Sequence, residues 1–420
     1  MKSILLKSFF LLCATGFLYA QKILIPMDLS QTDHLKAYGL TYWALTKGAQ
    51  TDWLLNYRGG SFLLDGTQEI IAECRIRGVY FEQPDGGQIA GIYATVQGEN
   101  TNMDAVRLEK PPRIAVYTPP GSRPWDDAVT MVLDYAEVKY EKIWDEEVLK
   151  GKLSEYDWLH LHHEDFTGQY GKFWASYATA PWYIQQVTLL ENTARKLGFN
   201  KVSKLKSAVV EKIREYIEGG GFMFAMCSAT DTYDIALAAL GLDICEEMFD
   251  GDPSDPTAAG RLDFSRTFAF QNFQIYDDPS KYEYSTIDVD ANVRINNAEA
   301  DYFTLFDFSA KYDPVPSMLT QCHVNIVKGF LGQTTAFHRE QIKKSVTLLA
   351  EREGTDEVKY IHGNVGRGTF TWYGGHDPED YQHAVGDPPT DLNLHKNSPG
   401  YRLILNNILF PAAKKKKQKT

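Results

Sequence analysis

Three short stretches of this chain carry residues whose types and spacing could do chemistry. The first is GGGFMFAMCSATDTYD, Gly219 to Asp234, where three glycines lead through an apolar run to Cys227 and then to small and polar residues. A cysteine on a tight turn between a buried strand and a helix presents its sulfur at the carboxyl edge of a sheet. There the helix amino terminus lowers the thiol pKa, and backbone N–H groups can hold an oxyanion. The bland alternative is a small buried hydrophobe, since free cysteine is among the most buried residue types. The second stretch is Tyr373-Gly374-Gly375-His376-Asp377-Pro378-Glu379-Asp380. It offers a histidine base just after a strand, with carboxylates one and three residues later to orient it. The third is His160-Leu161-His162-His163-Glu164-Asp165, after the strand-like YDWLHLH. Three histidines with carboxylates suit zinc, and His162, His163 and His376 are the candidate ligands, with His383 a further source. No cofactor is otherwise expected. His162, His163, Glu164, Gly374 and Gly375 are the expected substrate contacts.

The elements that would position these residues alternate between helix and strand. KILIP, TDWLLNYR and SFLLDG read as strands, and HLKAYGLTYWALTKG and TQEIIAECRIRG as helices, so residues 21–108 form a small α/β lobe with a βαβ beginning. EKPPR, around Pro111 and Pro112, marks a boundary. A second α/β series runs over 109–249 and returns at 345–412. It includes the unit VVEKIREYIEGGGFMFAMCSATDTYDIALAALG, in which helix, glycine stop, strand, sharp turn and new helix follow in order. Residues 250–344 break the pattern and read as a β-rich or irregular insertion.

The order of strand, cysteine turn and helix, followed much later by a strand ending in Gly-Gly-His376-Asp377-Pro378-Glu379, resembles the class I glutamine amidotransferase superfamily over about 110–250 and 345–412. That resemblance implies a flavodoxin-like sheet and a thiol amidohydrolase with Cys227 as nucleophile, His376 as base and Glu379 as orienter. Alanines stand where the family has elbow glycines. Asp377 is an extra residue before Glu379, so either carboxylate is an orienter candidate. HLKAYGLTYWALTKG and NSPGYRLILNNILFPAAKKKKQK also resemble a set of exported bacterial proteins labelled asparagine synthetase B. An ATP-dependent synthetase is not implied, because neither an amino-terminal nucleophilic cysteine nor an SGGxDS loop is present.

Composition sets the outer limits. The chain has 420 residues, 44% hydrophobic and 23% charged, which is ordinary for a globular protein of two domains. MKSILLKSFFLLCATGFLYA, residues 1–20, reads as a secretory signal, so the expected location is periplasmic or secreted. Losing Lys2 and Lys7 would take the formal charge from −12 to about −14, and an acidic body argues against nucleic-acid binding. No segment is expected to span a membrane. The basic tail Lys414–Lys419, within residues 413–420, reads as a solvated end or a weak contact with an anionic envelope surface. In an oxidising compartment Cys245 and Cys322 are the first pair to suspect of a disulfide. Three function classes follow: a cysteine hydrolase of an amide or peptide-like substrate, a metal-assisted hydrolase, or a glycan- or peptide-binding envelope protein without turnover.

Overall fold

The computed structural model describes residues 21–121, 123–289 and 298–414; the signal-like segment and all of the basic tail beyond Lys414 lie outside them. The chain is α/β. Its first lobe contains β1 (Lys22–Ile25), α1 (His34–Thr46), β2 (Thr51–Leu55), β3 (Ser61–Asp65), α2 (Gln68–Arg77), α3 (Gly86–Val96) and β4 (Asp104–Leu108). The four strands form an antiparallel sheet in the order β1-β3-β2-β4. The expected βαβ unit is therefore corrected: β1 and β2 are parallel but not neighbours, because β3 lies between them. The tight β2–β3 connection explains this. Asn56, Arg58, Gly59 and Gly60 all take positive φ, which folds β3 straight back onto β2.

The second sheet holds β5 (Ile114–Tyr117), β6 (Glu141–Ile143), β7 (Trp158–Leu161), β8 (Phe222–Met226), β9 (Tyr302–Leu305), β10 (Ile326–Lys328), β11 (Phe337–His338), β12 (Thr347–Glu351), β13 (Glu357–Val365) and β14 (Gly368–Tyr373). Its order is β10-β9-β12-β13-β14-β8-β7-β5-β6, with β11 paired to β13. From β14 to β6 all neighbours are parallel. Numbered along the chain, these five strands lie 2-1-3-4-5, a doubly wound arrangement whose order reverses between β5 and β7. Strands buried on both faces need apolar runs rather than alternation, and IAVY and FMFAM comply.

The helices of this series are α4 (Ala128–Tyr135), α5 (Asp145–Leu149), α6 (Trp174–Tyr177), α7 (Pro181–Lys196), α8 (Val202–Glu218), α9 (Ser228–Ala238) and α10 (Glu247–Asp250). After them come α11 (Pro314–Leu319) and α12 (Pro399–Leu409). Val202, Leu205, Val209, Ile213 and Ile217 put one apolar stripe of α8 into the core. Gly219, Gly220 and Gly221 then stop it, Gly220 at φ 117° and Gly221 so close to the Tyr216 ring that a Cβ would sit 2.3 Å from it. One core lies between the sheet and the first lobe, with α1, α4 and α12; the other lies on the opposite face with α8 and α9. Arg402 of α12 is fully buried and donates to the carbonyls of Met27 and Gly59, tying the lobe to the body.

The insertion is largely irregular, yet it is not a separate body. β9 and β10 extend the main sheet, and Asp234 of α9 accepts the N–H groups of Phe268, Ala269 and Phe270 at 2.6–2.9 Å. The suspected Cys245–Cys322 disulfide is also corrected, since both are free thiols. They belong to the two cores on opposite faces of the sheet, Cys245 donating to the carbonyl of Thr167 and Cys322 lying beside His323.

His362, in the middle of β13, is fully buried against Thr371, and burial pushes its imidazole down to about 4. A histidine depressed in the folded state resists protonation that the unfolded chain, near 6.5, accepts. Its share of stability is complete above about pH 6.5 and is lost on acidification, by about 2 kcal/mol at pH 5. Urea unfolding of His362→Gln should therefore show a flatter pH dependence between pH 7 and 5 than the parent. Equal slopes in the two proteins would contradict the buried neutral histidine.

Candidate functional site

The register of three adjacent parallel strands assembles the site. Leu161 of β7 pairs with Ala225 of β8, and Met226 pairs with Tyr373 of β14. One step further along each strand, His162-His163, Cys227 and Gly374-Gly375-His376 emerge together at the carboxyl edge, where parallel sheets place ligand sites. The loop after β7 is stapled to the first turn of α9. Ala229 N–H donates to the His162 carbonyl at 2.9 Å and Thr232 Oγ1 to that of Glu164 at 2.8 Å.

The histidines form one cluster. His162 stacks on His163 with ring centres 3.7 Å apart, and His376 faces them at 5.0 and 4.5 Å; His383 stacks on His376 at 4.3 Å. One ring nitrogen from each of His162, His163 and His376 lies within 4.8 Å of the other two. Outer contacts set the orientation of two rings. His163 Nε2 is 2.7 Å from the Asp126 carbonyl, which leaves Nδ1 as the lone-pair nitrogen. His162 Nδ1 is 3.2 Å from Asp127 Oδ1, which leaves Nε2. Both His376 nitrogens are buried without a hydrogen bond. Burial, then the neighbouring imidazoles, push His163 and His376 well below the usual histidine range, and burial lowers His162 as well. Neutral imidazoles held through an outer carbonyl or carboxylate are the form in which histidine ligates metal.

Asp127 organises the inner end of this cluster. It is the N-cap of α4, taking the N–H groups of Val129 and Thr130 at 2.9 Å, and its second oxygen is 3.3 Å from His160 Nε2. The other acidic groupings of the described residues each contain a paired histidine or lysine, although both Asp126 oxygens lack a hydrogen-bond partner. His383 is held by Asp380 at 2.7 Å and lies 3.2 Å from Asp126, while Lys201 sits between Asp243 and Asp250 beside Cys245. His162, His163 and His376 converge, the nitrogens of His162 and His376 without a hydrogen bond, and the three imidazoles fit zinc or a similar divalent ion.

Cys227 occupies the strand-to-helix turn at φ 51° and ψ −141°, a strained conformation for a residue with a Cβ. Burial pushes its thiol up to about 11, against the backbone N–H groups of Thr334, Gln333 and Ser228, which are turned toward the sulfur. The same 333–335 segment holds two buried carboxyls. Thr334 Oγ1 donates to Asp231 at 2.9 Å and Thr335 N–H to Asp288 at 2.8 Å. The other oxygens of Asp231 and Asp288, with the Tyr284 hydroxyl, are buried without a hydrogen-bond partner. Burial raises Asp231 to about 7 and Asp288 well above the carboxylate range, so this side of the edge disfavours ionised carboxylates.

The structure brings His162, His163 and His376 together but makes no hydrogen bond between Cys227 and His376. Glu379 pairs with His395 at 2.9 Å. Asp377 takes the N–H of Glu379 and the Thr390 hydroxyl. Glu164 is paired with Arg123 at 2.5 Å. Gly374 and Gly375 lie against the 330–335 segment: a Cβ on Gly374 would be 2.5 Å from the Thr335 carbonyl, and one on Gly375 2.5 Å from the Phe330 ring. Their smallness lets that segment approach. Asp126, Asp127, Asp231, Asp288, Gln333 and Thr334 were not singled out from sequence. Only Asp127 had a local signal, an acidic residue directly before an apolar helix.

No protein-family model matches the chain, and no curated protein matches it. Among solved structures, the cytoplasmic protein STM3548 of Salmonella typhimurium aligns at 11% identity and TM-score 0.35, over 72% of this chain and 100% of that one. The cytoplasmic protein STM1381 of Salmonella typhimurium LT2 aligns at 13% identity and TM-score 0.35, over 72% and 99%. Gan42B, a GH42 beta-galactosidase of G. stearothermophilus, aligns at 10% identity and TM-score 0.28, over 64% of this chain and 28% of that one.

Proposed function

We propose that this chain is a metal-assisted hydrolase of the cell envelope, built on an amidotransferase-like sheet, with a divalent ion such as zinc held by His162, His163 and His376. One observation carries the reading: three clustered imidazoles converge on one point, and the buried nitrogens of His162 and His376 there have no hydrogen-bond partner. A bound ion there would polarise a substrate carbonyl and lower the pKa of a water. The chain's own residues do the rest. Asp127 and the Asp126 carbonyl fix the His162 and His163 rings, the buried edge excludes bulk water, and the Arg123–Glu164 pair walls the approach beside His163.

Zinc loading followed by dialysis should leave one ion per chain. His376→Ala and His163→Ala should abolish it, and Asp127→Asn should weaken binding by about 10–100-fold, as for a group that orients a ligand. Retention of zinc by both histidine variants, or no uptake by the parent protein, would contradict this site.

The strained turn at Cys227, with three N–H groups toward its sulfur, favours a second reading as a thiol hydrolase of the amidotransferase kind. The two readings part on reactivity. With its thiol raised to about 11 and 3% exposed, Cys227 should resist iodoacetamide at neutral pH until the protein unfolds. Alkylation of the folded protein with a midpoint below about pH 8.5, lost in His376→Ala, would favour the thiol enzyme instead.

A further inference from the structure

The order of the parallel strands reverses between β5 and β7, and the loops leaving those two strands open a cavity of 320 Å³ at their carboxyl ends. Ligand crevices of open α/β sheets lie at such a reversal, and this volume is at the lower end of the roughly 300–1,000 Å³ of small-molecule sites. His163 lies on its floor, so the cavity is the approach to the histidine cluster from the α7 and α8 side.

The chemistry of the walls narrows the occupant. Charges already have partners: Arg123 has Glu164 at 2.5 Å, Lys206, which is 1% exposed, has Asp145 at 3.0 Å, and the Asp165 carboxylate accepts the Thr167 N–H and hydroxyl and the Gly171 N–H. The first N–H groups of α4, where a doubly wound fold would bind a phosphate, are taken by the Asp127 carboxylate. An anion or a cation therefore meets no uncompensated partner. The far wall is one face of α7, on which Trp182, Gln185, Gln186 and Leu189 recur at helical spacing. The indole offers a flat apolar face, and the two amides with the Arg123–Glu164 pair offer donors and acceptors side by side. Loops and helices make the walls, with no free strand edge to capture a peptide backbone.

We propose that this cavity binds a neutral saccharide unit and presents it to the histidine cluster. A sugar ring has an apolar C–H face to lie on Trp182, and hydroxyls that both donate and accept, to meet the paired amides. The catalytic consequence rests on the metal-hydrolase reading, but the binding does not.

The test is calorimetry and saturation-transfer NMR on the whole protein, both EDTA-stripped and zinc-loaded, with chitotriose, cellotriose, triglycine and inorganic phosphate as probes. At least one trisaccharide should bind the stripped protein. Trp182→Leu should weaken it at least about tenfold. Trp182 also packs on Trp125, Phe173 and Tyr177, so the double variant Gln185→Ala/Gln186→Ala, at an exposed and a half-buried position of the same wall, gives an independent second loss. Saccharide binding without zinc uptake would sink the metal site and leave this proposal standing. Absence of saccharide binding at about 10 mM would overturn it. So would binding indifferent to both variants, or preference for triglycine or phosphate.

Discussion

The site depends on one constraint, the register in which β7, β8 and β14 end. Leu161, Ala225 and the Met226–Tyr373 pair hold three parallel strands level. The residues that follow therefore have to share a small volume, whatever their separation along the chain. A shift of one residue in β7 would exchange the faces to which His160 and His162 point. It would take both away from Asp127. The Gly374–Gly375 step matters for the same reason. It lets the 330–335 segment close against the strand end, so that His376 meets His162 and His163 rather than lying over Cys227.

Burial then assigns different chemistry to the two sides of this edge. Toward α4, imidazoles are kept neutral and carry lone pairs, with Asp127 and the Asp126 carbonyl on their outer nitrogens. Toward the insertion, burial raises Asp231, Asp288 and the Cys227 thiol above their ordinary ranges, which disfavours charge there. In the proposed reading a cation would sit on the first side and not on the second. The strained Cys227 turn persists because the insertion surrounds it. Asp234 anchors residues 268–270, and the 333–335 segment packs down on the turn through Asp231 and Asp288.

Much of this was legible in the sequence, because local signals and tertiary structure agree along the parallel series. The α8–β8–α9 unit is written in an apolar stripe, a triple-glycine stop and an apolar strand. In the first lobe the alternation of strand and helix suggested βαβ, and a turn of left-handed residues made it antiparallel instead. The three histidines of the cluster were marked by type and position. What could not be read was which partner each group would take. Glu379 goes to His395 and Asp377 to Thr390, choices made by the path of the loop after β14. Asp231, Asp288 and the 333–335 segment converge from distant, irregular stretches with no periodicity to announce them. Cys245 and Cys322 are separated by the sheet itself, a fact of layering that spacing does not carry.

X-ray absorption at the metal edge of the zinc- or cobalt-loaded protein addresses the central claim most directly. The account predicts a first shell with three imidazole nitrogens at about 2.0–2.1 Å and the remaining position filled by an oxygen. A sulfur scatterer at about 2.3 Å would place the ion on a cysteine instead, and a shell of oxygens alone would place it on surface carboxylates. Either result would contradict a site built by His162, His163 and His376.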